Sequence, residues 1–283
     1  MWSFIRPIFL WGLAAATVAA ELNFVASVRT KGNVDASALK FVPIPPLTRG
    51  RHGSRDSWPG RGDSRAERDV VSYSSNWCGA SQHSSRSDGV ASVFGAFTVP
   101  DLTLRPGLPA PQFASAWLGI DGAECNSTLL QAGVTNIVNS NGGQSASAWW
   151  EWYPEAAYTI QGLKVKAGDW VTVNIETTSA NSAKLVITNA SLGYEVTLVL
   201  TNGPELCRVD AEWIIEDFYV SGQQVAFANF ADVWFMDSGA TTVGGKHIGL
   251  DGAAMVHLQA DDGTILCSAH PYDDANFVIV SHA

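Results

Sequence analysis

Acidic side chains set between bulky apolar residues are the feature of this sequence with the clearest chemical potential. In the run LCRVDAEWIIEDF, strand alternation would place Glu212, Ile214 and Glu216 on one face. In AWWEWYP, the same alternation places Trp149 and Glu151 together on one face. A carboxylate among apolar neighbours is costly to bury unless it is partnered or protonated. These runs therefore mark either a functional groove or a satisfied polar network.

Other catalytic patterns are missing or incomplete in the sequence. It has no H-E-x-x-H, no C-x-x-C and no G-x-S-x-G, and its histidines are scattered, so we expect no metal ion and no cofactor. The run FMDSGA contains the Asp-Ser-Gly of pepsin-like aspartic peptidases. That chemistry needs two carboxylates that share a proton, and this tripeptide occurs once. We therefore interpret Asp237 as a turn residue.

Composition excludes several classes of protein. The 283 residues are 46% hydrophobic and 16% charged, which argues against a disordered chain, a coiled coil or a collagenous one. Acidic residues outnumber basic ones 27 to 17, so a nucleic-acid partner is not expected. Beyond the N-terminus no run of 18 apolar residues occurs, and we predict a monomer that does not associate with membranes.

The N-terminal residues 1–20 have the pattern of a signal peptide. One early cation, Arg6, precedes a short apolar stretch, and small residues suit cleavage after Ala20. A signal peptide implies a secreted protein in an oxidising compartment, where cysteines form disulfides. In such a protein the N-x-S/T sequons at Asn126 and Asn189 are possible glycosylation sites.

Charge divides the chain near residue 70. Residues 1–69 hold ten Lys/Arg and six acids, a net of +4, whereas residues 70–283 hold seven and twenty-one, a net of −14. The segment 21–69 ends in a Pro/Gly/Arg-rich stretch without an apolar period, which predicts a propeptide or linker. A basic propeptide would dock on the acidic domain and leave when acid protonates its carboxylates. The alternative is a flexible tail.

Residues 70–283 have a sequence pattern typical of an all-β domain. Short runs rich in β-branched and aromatic residues recur, such as WVTVNIETT and YEVTLVLT, and turn residues bound them. No amphipathic helix of ten or more residues is evident. Closely spaced strands without helical crossovers must pair antiparallel, so we predict an antiparallel two-sheet β-sandwich.

Five segments of this domain, taken together, resemble one known family. In order along the chain they are SSNWCGA, AWLGIDG, LLQAG, WWEWYP and LCRVDAEWIIEDF. Their order and spacing are similar to those of the glutamic peptidases, or eqolisins, which are secreted acid endopeptidases found mostly in fungi. The resemblance implies a sandwich similar to the concanavalin A-like lectins, with a groove across a concave face. It also implies protein or peptide substrates.

The resemblance assigns roles to individual residues. It places the catalytic glutamine at Gln131 and the catalytic glutamate at Glu216. It places Trp117, Asp121 and Glu151 at or near the groove as substrate-binding residues. The chain departs from the family pattern at three positions, which are Cys78, Ser147 and Trp150.

The family's pattern also implies a disulfide between Cys125 and Cys207. Cys78 and Cys267 then remain as a possible second bridge.

The chemistry of the two catalytic positions suits amide hydrolysis in acid. Glu216 would take a proton from water and return it to the leaving amine, while the amide N–H of Gln131 would stabilise the oxyanion. The alternative is a silent carbohydrate-binding module in which exposed Trp149, Trp150 and Trp152 stack on sugar rings. A glycosidase is disfavoured. Glu212 and Glu216 lie about 13 Å apart along one strand, which is farther than the two catalytic carboxylates of a retaining or an inverting glycosidase.

Overall fold

The computed structural model describes residues 21–30, 39–47 and 70–282, and within these ranges its regular secondary structure consists almost entirely of β-strands. A 3₁₀ turn spans Arg86–Asp88. The predicted signal peptide and the basic stretch 48–69 lie outside the described residues. The strands are β1 (Asn23–Thr30), β2 (Lys40–Ile44), β3 (Val70–Ser74), β4 (Trp77–His83), β5 (Val90–Thr98), β6 (Leu102–Thr103), β7 (Gln112–Ile120), β8 (Leu129–Val138), β9 (Gln144–Tyr153), β10 (Ala157–Gln161), β11 (Trp170–Ser179), β12 (Ser182–Asn189), β13 (Tyr194–Thr201), β14 (Asp210–Glu216), β15 (Tyr219–Val220), β16 (Gln223–Gln224), β17 (Asn229–Phe230), β18 (Val233–Thr242), β19 (His247–Ile248), β20 (Ala254–Gln259), β21 (Ile265–Pro271) and β22 (Phe277–Ser281).

Neighbouring strands form one continuous ribbon that folds into two layers. The front layer runs β2–β10–β9–β8–β7–β14–β4–β20, and β21 and β22 connect it to the back layer β18–β5–β11–β12–β13–β1. These pairs are antiparallel, whereas β3 adds to β20 in parallel. The predicted antiparallel β-sandwich is confirmed.

The main core lies between the two layers. In β11 buried residues alternate with more exposed ones, because one face meets the core and the other meets solvent. In β14 all seven residues are buried, so this strand is covered on both faces. Trp213 and Ile215 point into the main core, whereas Ile214 joins a second cluster on the opposite face. The predicted division of faces in LCRVDAEWIIEDF is therefore confirmed.

Residues before 70 also contribute strands to the sandwich. β1 pairs with β13 at the end of the back layer, and β2 pairs with β10 at the end of the front layer. The two strands meet where the Phe24 ring contacts Phe41, with ring centroids 5.2 Å apart. Strands are expected from the sequence only in residues 70–283, but NFVASVRT and KFVPI are strands as well, because their backbones pair with two otherwise open sheet edges. The boundary at residue 70 as a processing site stays a prediction.

Both cysteine pairs form disulfides. Cys125 is bonded to Cys207 and Cys78 to Cys267, as the family pattern and the remaining pair predicted.

Two surface features were also predicted from the sequence. Asn126 is exposed, and its glycosylation stays a prediction. Asn189 is fully buried and donates to the Lys164 carbonyl and the Asp169 carboxylate, so the predicted glycan there is wrong for the folded chain.

Asp237 is exposed at a bulge inside β18 with φ 51°, rather than in a turn between strands. In the described ranges, no helix is long and apolar enough to cross a membrane.

Candidate active site

Glu216 lies at the end of β14, on the face of the front layer that points away from the main core, and three side chains donate hydrogen bonds to it. One oxygen accepts from the Asn76 amide at 3.0 Å and from the Trp77 indole N–H at 3.1 Å. The other accepts from the Trp117 indole N–H at 2.9 Å. Strand register explains the arrangement, because Trp77 and Ser115 on the flanking strands lie opposite Glu216. Three N–H donors around one buried carboxyl stabilise negative charge on it.

Gln131 and Glu151 form the second part of the site. They lie opposite each other in the β8–β9 pair, and the Gln131 amide nitrogen donates to Glu151 at 2.7 Å. Both side chains are fully buried in this structure. Burial raises the pKa of Glu151 to about 8, the hydrogen bond from Gln131 opposes this rise, and the nearby charge of Glu216 adds to it. In acid, Glu151 is therefore a neutral carboxyl group next to an amide.

Tryptophans and aliphatic side chains fill the space around these polar groups. The rings of Trp77 and Trp117 meet edge to face with centroids 5.1 Å apart. Trp149 and Ile214 belong to the same buried cluster, and so does Leu47 from the segment before residue 70. The site is therefore a polar pair and a glutamate set in an apolar, aromatic cleft.

Among the predicted site residues, the structure brings Trp117 and Glu151 to Glu216 and Gln131. It does not bring Asp121 there. Asp121 follows β7, and its two oxygens accept from the backbone N–H groups of Arg208 and Val209, both at 2.9 Å. Burial raises its pKa to about 6. This position orders the loop that leads into β14.

Another buried carboxyl, Glu212, lies on the same face of β14 as Glu216. Glu212 is opposite Gly119, and neither of its oxygens has a hydrogen-bond partner among the described residues. Burial raises its pKa well above the usual range, and the charges of Asp210 and Asp121 add to the effect. A carboxyl in these surroundings stays protonated in acid.

The candidate metal ligands that come together in the described chain are Asp121, Cys125 and Cys207. The two sulfur atoms are bonded to each other, and both oxygens of Asp121 already accept backbone hydrogen bonds. A metal ion would need thiolate ligands, so this group does not fit one.

Sequence reasoning did not assign a role to Asn76, Trp77 or Leu47. The first two lie in SSNWCGA, a segment that carried the family resemblance, and this was the signal that could have found them. Leu47 had no such signal, because it follows a Pro-Pro pair in a stretch interpreted as a linker.

The alternative of a sugar-binding surface needed exposed tryptophans. Trp149, Trp150 and Trp152 are each at most 2% exposed. Trp150 stacks on Tyr158 with ring centroids 4.8 Å apart, inside the protein rather than on its surface. That form of the carbohydrate-binding hypothesis is wrong.

The sandwich thus holds Glu216, Gln131 and Glu151 together among buried tryptophans on one face of its front layer. The profile of the Peptidase A4 family matches residues 75–282. The chain belongs to this family, and it is a peptidase of the glutamic type.

Relatives agree in sequence and in structure. The chain is 35% identical to aspergillopepsin-2 of Aspergillus niger over 212 residues, which cover 69% of this chain and 73% of that protein. It is 31% identical to scytalidopepsin B of Scytalidium lignicola over 152 residues, which cover 51% and 57%. Scytalido-glutamic peptidase, solved with a peptide-based transition-state analog, matches with a TM-score of 0.64 and 27% identity over 74% of this chain and 98% of that chain. Aspergilloglutamic peptidase from Aspergillus niger matches with a TM-score of 0.57 and 34% identity over 60% and 99%.

Proposed function

We propose that this chain is a secreted acid endopeptidase in which Glu216 activates a water molecule and Gln131 stabilises the oxyanion. The observation that carries the proposal is the set of three N–H donors to Glu216. These donors stabilise negative charge on the carboxylate, which is the form of Glu216 that can take a proton from water as a general base.

The reaction needs one water molecule and no covalent intermediate. Glu216 takes a proton as the water oxygen attacks the scissile carbonyl carbon, and the carbonyl oxygen becomes an oxyanion. A side-chain amide has two N–H donors, and the oxyanion takes the one of Gln131 that Glu151 does not. The C–N bond then breaks as Glu216 passes its proton to the leaving amine.

Glu151 acts through Gln131 and is a positioning residue. Its hydrogen bond fixes the orientation of the amide, so that the N–H side of Gln131 is held in the cleft. With residues 39–47 in place, burial raises the pKa of Glu151 to about 8, so in the precursor this contact involves a neutral carboxyl group in acid. The amide donor of Gln131 does not titrate, which suits the same range.

The segment 21–69 is proposed to be a propeptide that is removed after secretion. Two observations support this. Leu47 lies in the apolar cleft and is only 7% exposed, and its backbone N–H donates to Glu151 at 3.2 Å. A protein substrate therefore cannot reach Gln131 and Glu216 while this segment is in place.

Two substitutions test the catalytic assignment. Glu216→Gln keeps the shape of the side chain but removes the base, and we expect at least a ~10²-fold loss of kcat on an acid-denatured protein substrate. Gln131→Ala removes the oxyanion donor, with an expected loss of ~10²–10³-fold. Asp237→Asn is the matched control, because it neutralises an exposed carboxylate away from the cleft, and it should retain activity.

Circular dichroism and Tm would show that the variants are folded. Retained proteolysis by folded Glu216→Gln protein contradicts the assignment. Pepstatin-type inhibitors should fail, because the proposed site contains no pair of aspartates. Strong inhibition by them, or loss of activity in Asp237→Asn, would instead favour an aspartic mechanism.

A further inference from the structure

The segment before residue 70 approaches the catalytic residues along a defined path. β2 pairs with the edge of β10, and Ile44 lies opposite Ala157. On the other side of β10, Ala157 lies opposite Glu151, and Glu151 lies opposite Gln131. Ile44 is therefore in the same row of the front layer as the catalytic glutamine.

The chain leaves the edge of β10 after Ile44 and crosses into the cleft. Pro45 and Pro46 have no N–H groups, so they cannot continue the ladder. Leu47 then makes two backbone hydrogen bonds in the cleft. Its N–H donates to Glu151, and its carbonyl accepts from the N–H of Tyr219, both at 3.2 Å.

The Leu47 side chain fills the apolar part of the site. It belongs to the cluster formed by Trp77, Trp117, Leu129 and Trp149. Its neighbours are large and apolar, and burying a leucine side chain among them is favourable without any charge pairing.

Ion pairs contribute little to the contacts that hold the described residues before 70 on the rest of the protein. An ion pair joins Arg29 to Glu195 at 3.7 Å, on β13 in the back layer, and the Arg29 side chain is largely exposed. Lys40 at the start of β2 is also exposed. The contacts inside the cleft are backbone hydrogen bonds and apolar packing, which are the contacts that an extended peptide of any sequence with a suitable side chain can make.

We propose that residues 40–47 occupy the peptide-binding groove of this enzyme, in which the edge of β10 receives the peptide backbone and the Leu47 pocket selects a leucine-sized apolar side chain. This inference rests on the proposed function, because it identifies the substrate class of the same site. The preferred substrates are extended peptides with such a side chain at this subsite. Once β2 has left, the edge of β10 is available to them.

A synthetic peptide tests the groove. The peptide LKFVPIPPL, which corresponds to residues 39–47, is added to the processed, secreted enzyme in acid. We expect competitive inhibition, with an increased KM and an unchanged kcat, or slow cleavage of the peptide itself. The matched peptide with Leu47→Asp should bind at least ten-fold more weakly, because its carboxyl group would be desolvated among tryptophan rings.

The full chain provides a second test. The Leu47→Asp precursor should cleave a small peptide substrate at its first contact with acid, before its N-terminus changes. Val25→Asp places the same substitution at a 73% exposed position of β1, and this control should remain as latent as the wild type. Cleavage sites in a denatured protein, identified by mass spectrometry, should share an enrichment of leucine-sized apolar residues at one position.

The outcomes separate the two proposals. Non-competitive inhibition, equal binding of the two peptides, or a latent Leu47→Asp precursor overturns the groove assignment while leaving the peptidase mechanism intact. An enzyme that hydrolyses no substrate contradicts the proposed function. In that case, binding of the two peptides can still be measured through the fluorescence of the cleft tryptophans. It would show whether the pocket binds a leucine side chain.

Discussion

Trp77 packs in the apolar cluster of the site and also donates its indole N–H to Glu216. Trp77→Phe removes this donor and keeps most of the apolar surface. We expect a lower kcat with little change in KM, and an acid limb of the pH profile that moves to higher pH. The reason is that negative charge on Glu216 is less stabilised. Trp234→Phe, at a 39% exposed position, is the control. A uniform fall in activity without a shifted profile would mean that Trp77 only packs.

Glu151 links the site to the stability of the precursor. Its pKa rises from 4.5 to about 8 because of burial, so the folded state holds the proton more tightly than the unfolded state. The stability is therefore fully present below pH 4.5 and is lost as pH rises towards 8. Between pH 5.5 and 7.5 the loss amounts to about 2–3 kcal/mol in the free energy of unfolding.

Glu151→Gln removes this titration and keeps a hydrogen-bond acceptor for Gln131. Urea unfolding of the purified precursor at the two pH values should show a smaller decrease in stability for the variant than for the wild type. Asp262→Asn is a suitable control, because Asp262 is exposed and its pKa is lowered by hydrogen bonds to Thr264. An unchanged decrease in the Glu151→Gln protein would show that other carboxyls, such as Glu212, cause it.

At the scale of elements, the Cys125–Cys207 disulfide joins the loop before β8 to the loop before β14, the strands that carry Gln131 and Glu216. The two cysteines are 82 positions apart in sequence, and closing a loop of that length accounts for about 4–5 kcal/mol of stabilisation in the chain-entropy view. The Cys125→Ser, Cys207→Ser double variant should therefore lose several kcal/mol and have a much lower Tm. Peptide mapping without reduction checks the pairing, and a free Cys125 thiol would contradict it.

The faces of the strands could be predicted from the sequence, but the partners across strands could not. Alternation correctly placed Trp149 with Glu151, and Ile214 with Glu216, because side-chain direction is a local property of a strand. The donor Trp77 is 139 positions from Glu216, and only the pairing of β4 with β14 brings them together.

The strands before residue 70 illustrate the same limit. β1 and β2 belong to a segment that ends in a Pro/Gly/Arg-rich stretch, and that stretch favoured a propeptide or linker. They become strands because β13 and β10 offer open edges, and those edges exist only in the folded protein. Asp121 was expected at the groove because the family resemblance placed it there. The end of β7 instead directs it towards the backbone of Arg208.

For the whole molecule, the small number of basic residues in 70–283 is consistent with a protein that functions at acid pH. This region has seven Lys/Arg, so protonation of its carboxylates leaves little positive charge to repel itself. Several buried carboxyls, among them Glu151, Glu212 and Asp217, have a raised pKa because of burial. They add to a stability that is greatest in acid and falls as the pH approaches neutrality.

The same charge distribution bears on activation of the precursor. We predict that the secreted protein begins at Glu21 and that acid removes residues up to about 69. RAERD offers Arg65 and Arg68 to a processing enzyme, and self-cleavage is the alternative; these residues lie outside the described ranges. N-terminal sequencing of protein incubated in acid and at neutral pH tests this prediction. A precursor that is fully active at first contact with acid and still begins at Glu21 would show that the segment is only a tail.

Salt dependence separates the two forces that can hold the segment in place. The exposed Arg29–Glu195 pair contributes little, so a large effect of salt at neutral pH would come from the basic stretch between Arg49 and Arg68 docking on a domain of net charge −14. We expect raised salt to speed hydrogen exchange of the β1 and β2 amides, because screening weakens that attraction and opens the segment more often. Exchange that is indifferent to salt would contradict electrostatic docking, and would leave strand pairing and the burial of Leu47 as the contacts that keep the cleft closed.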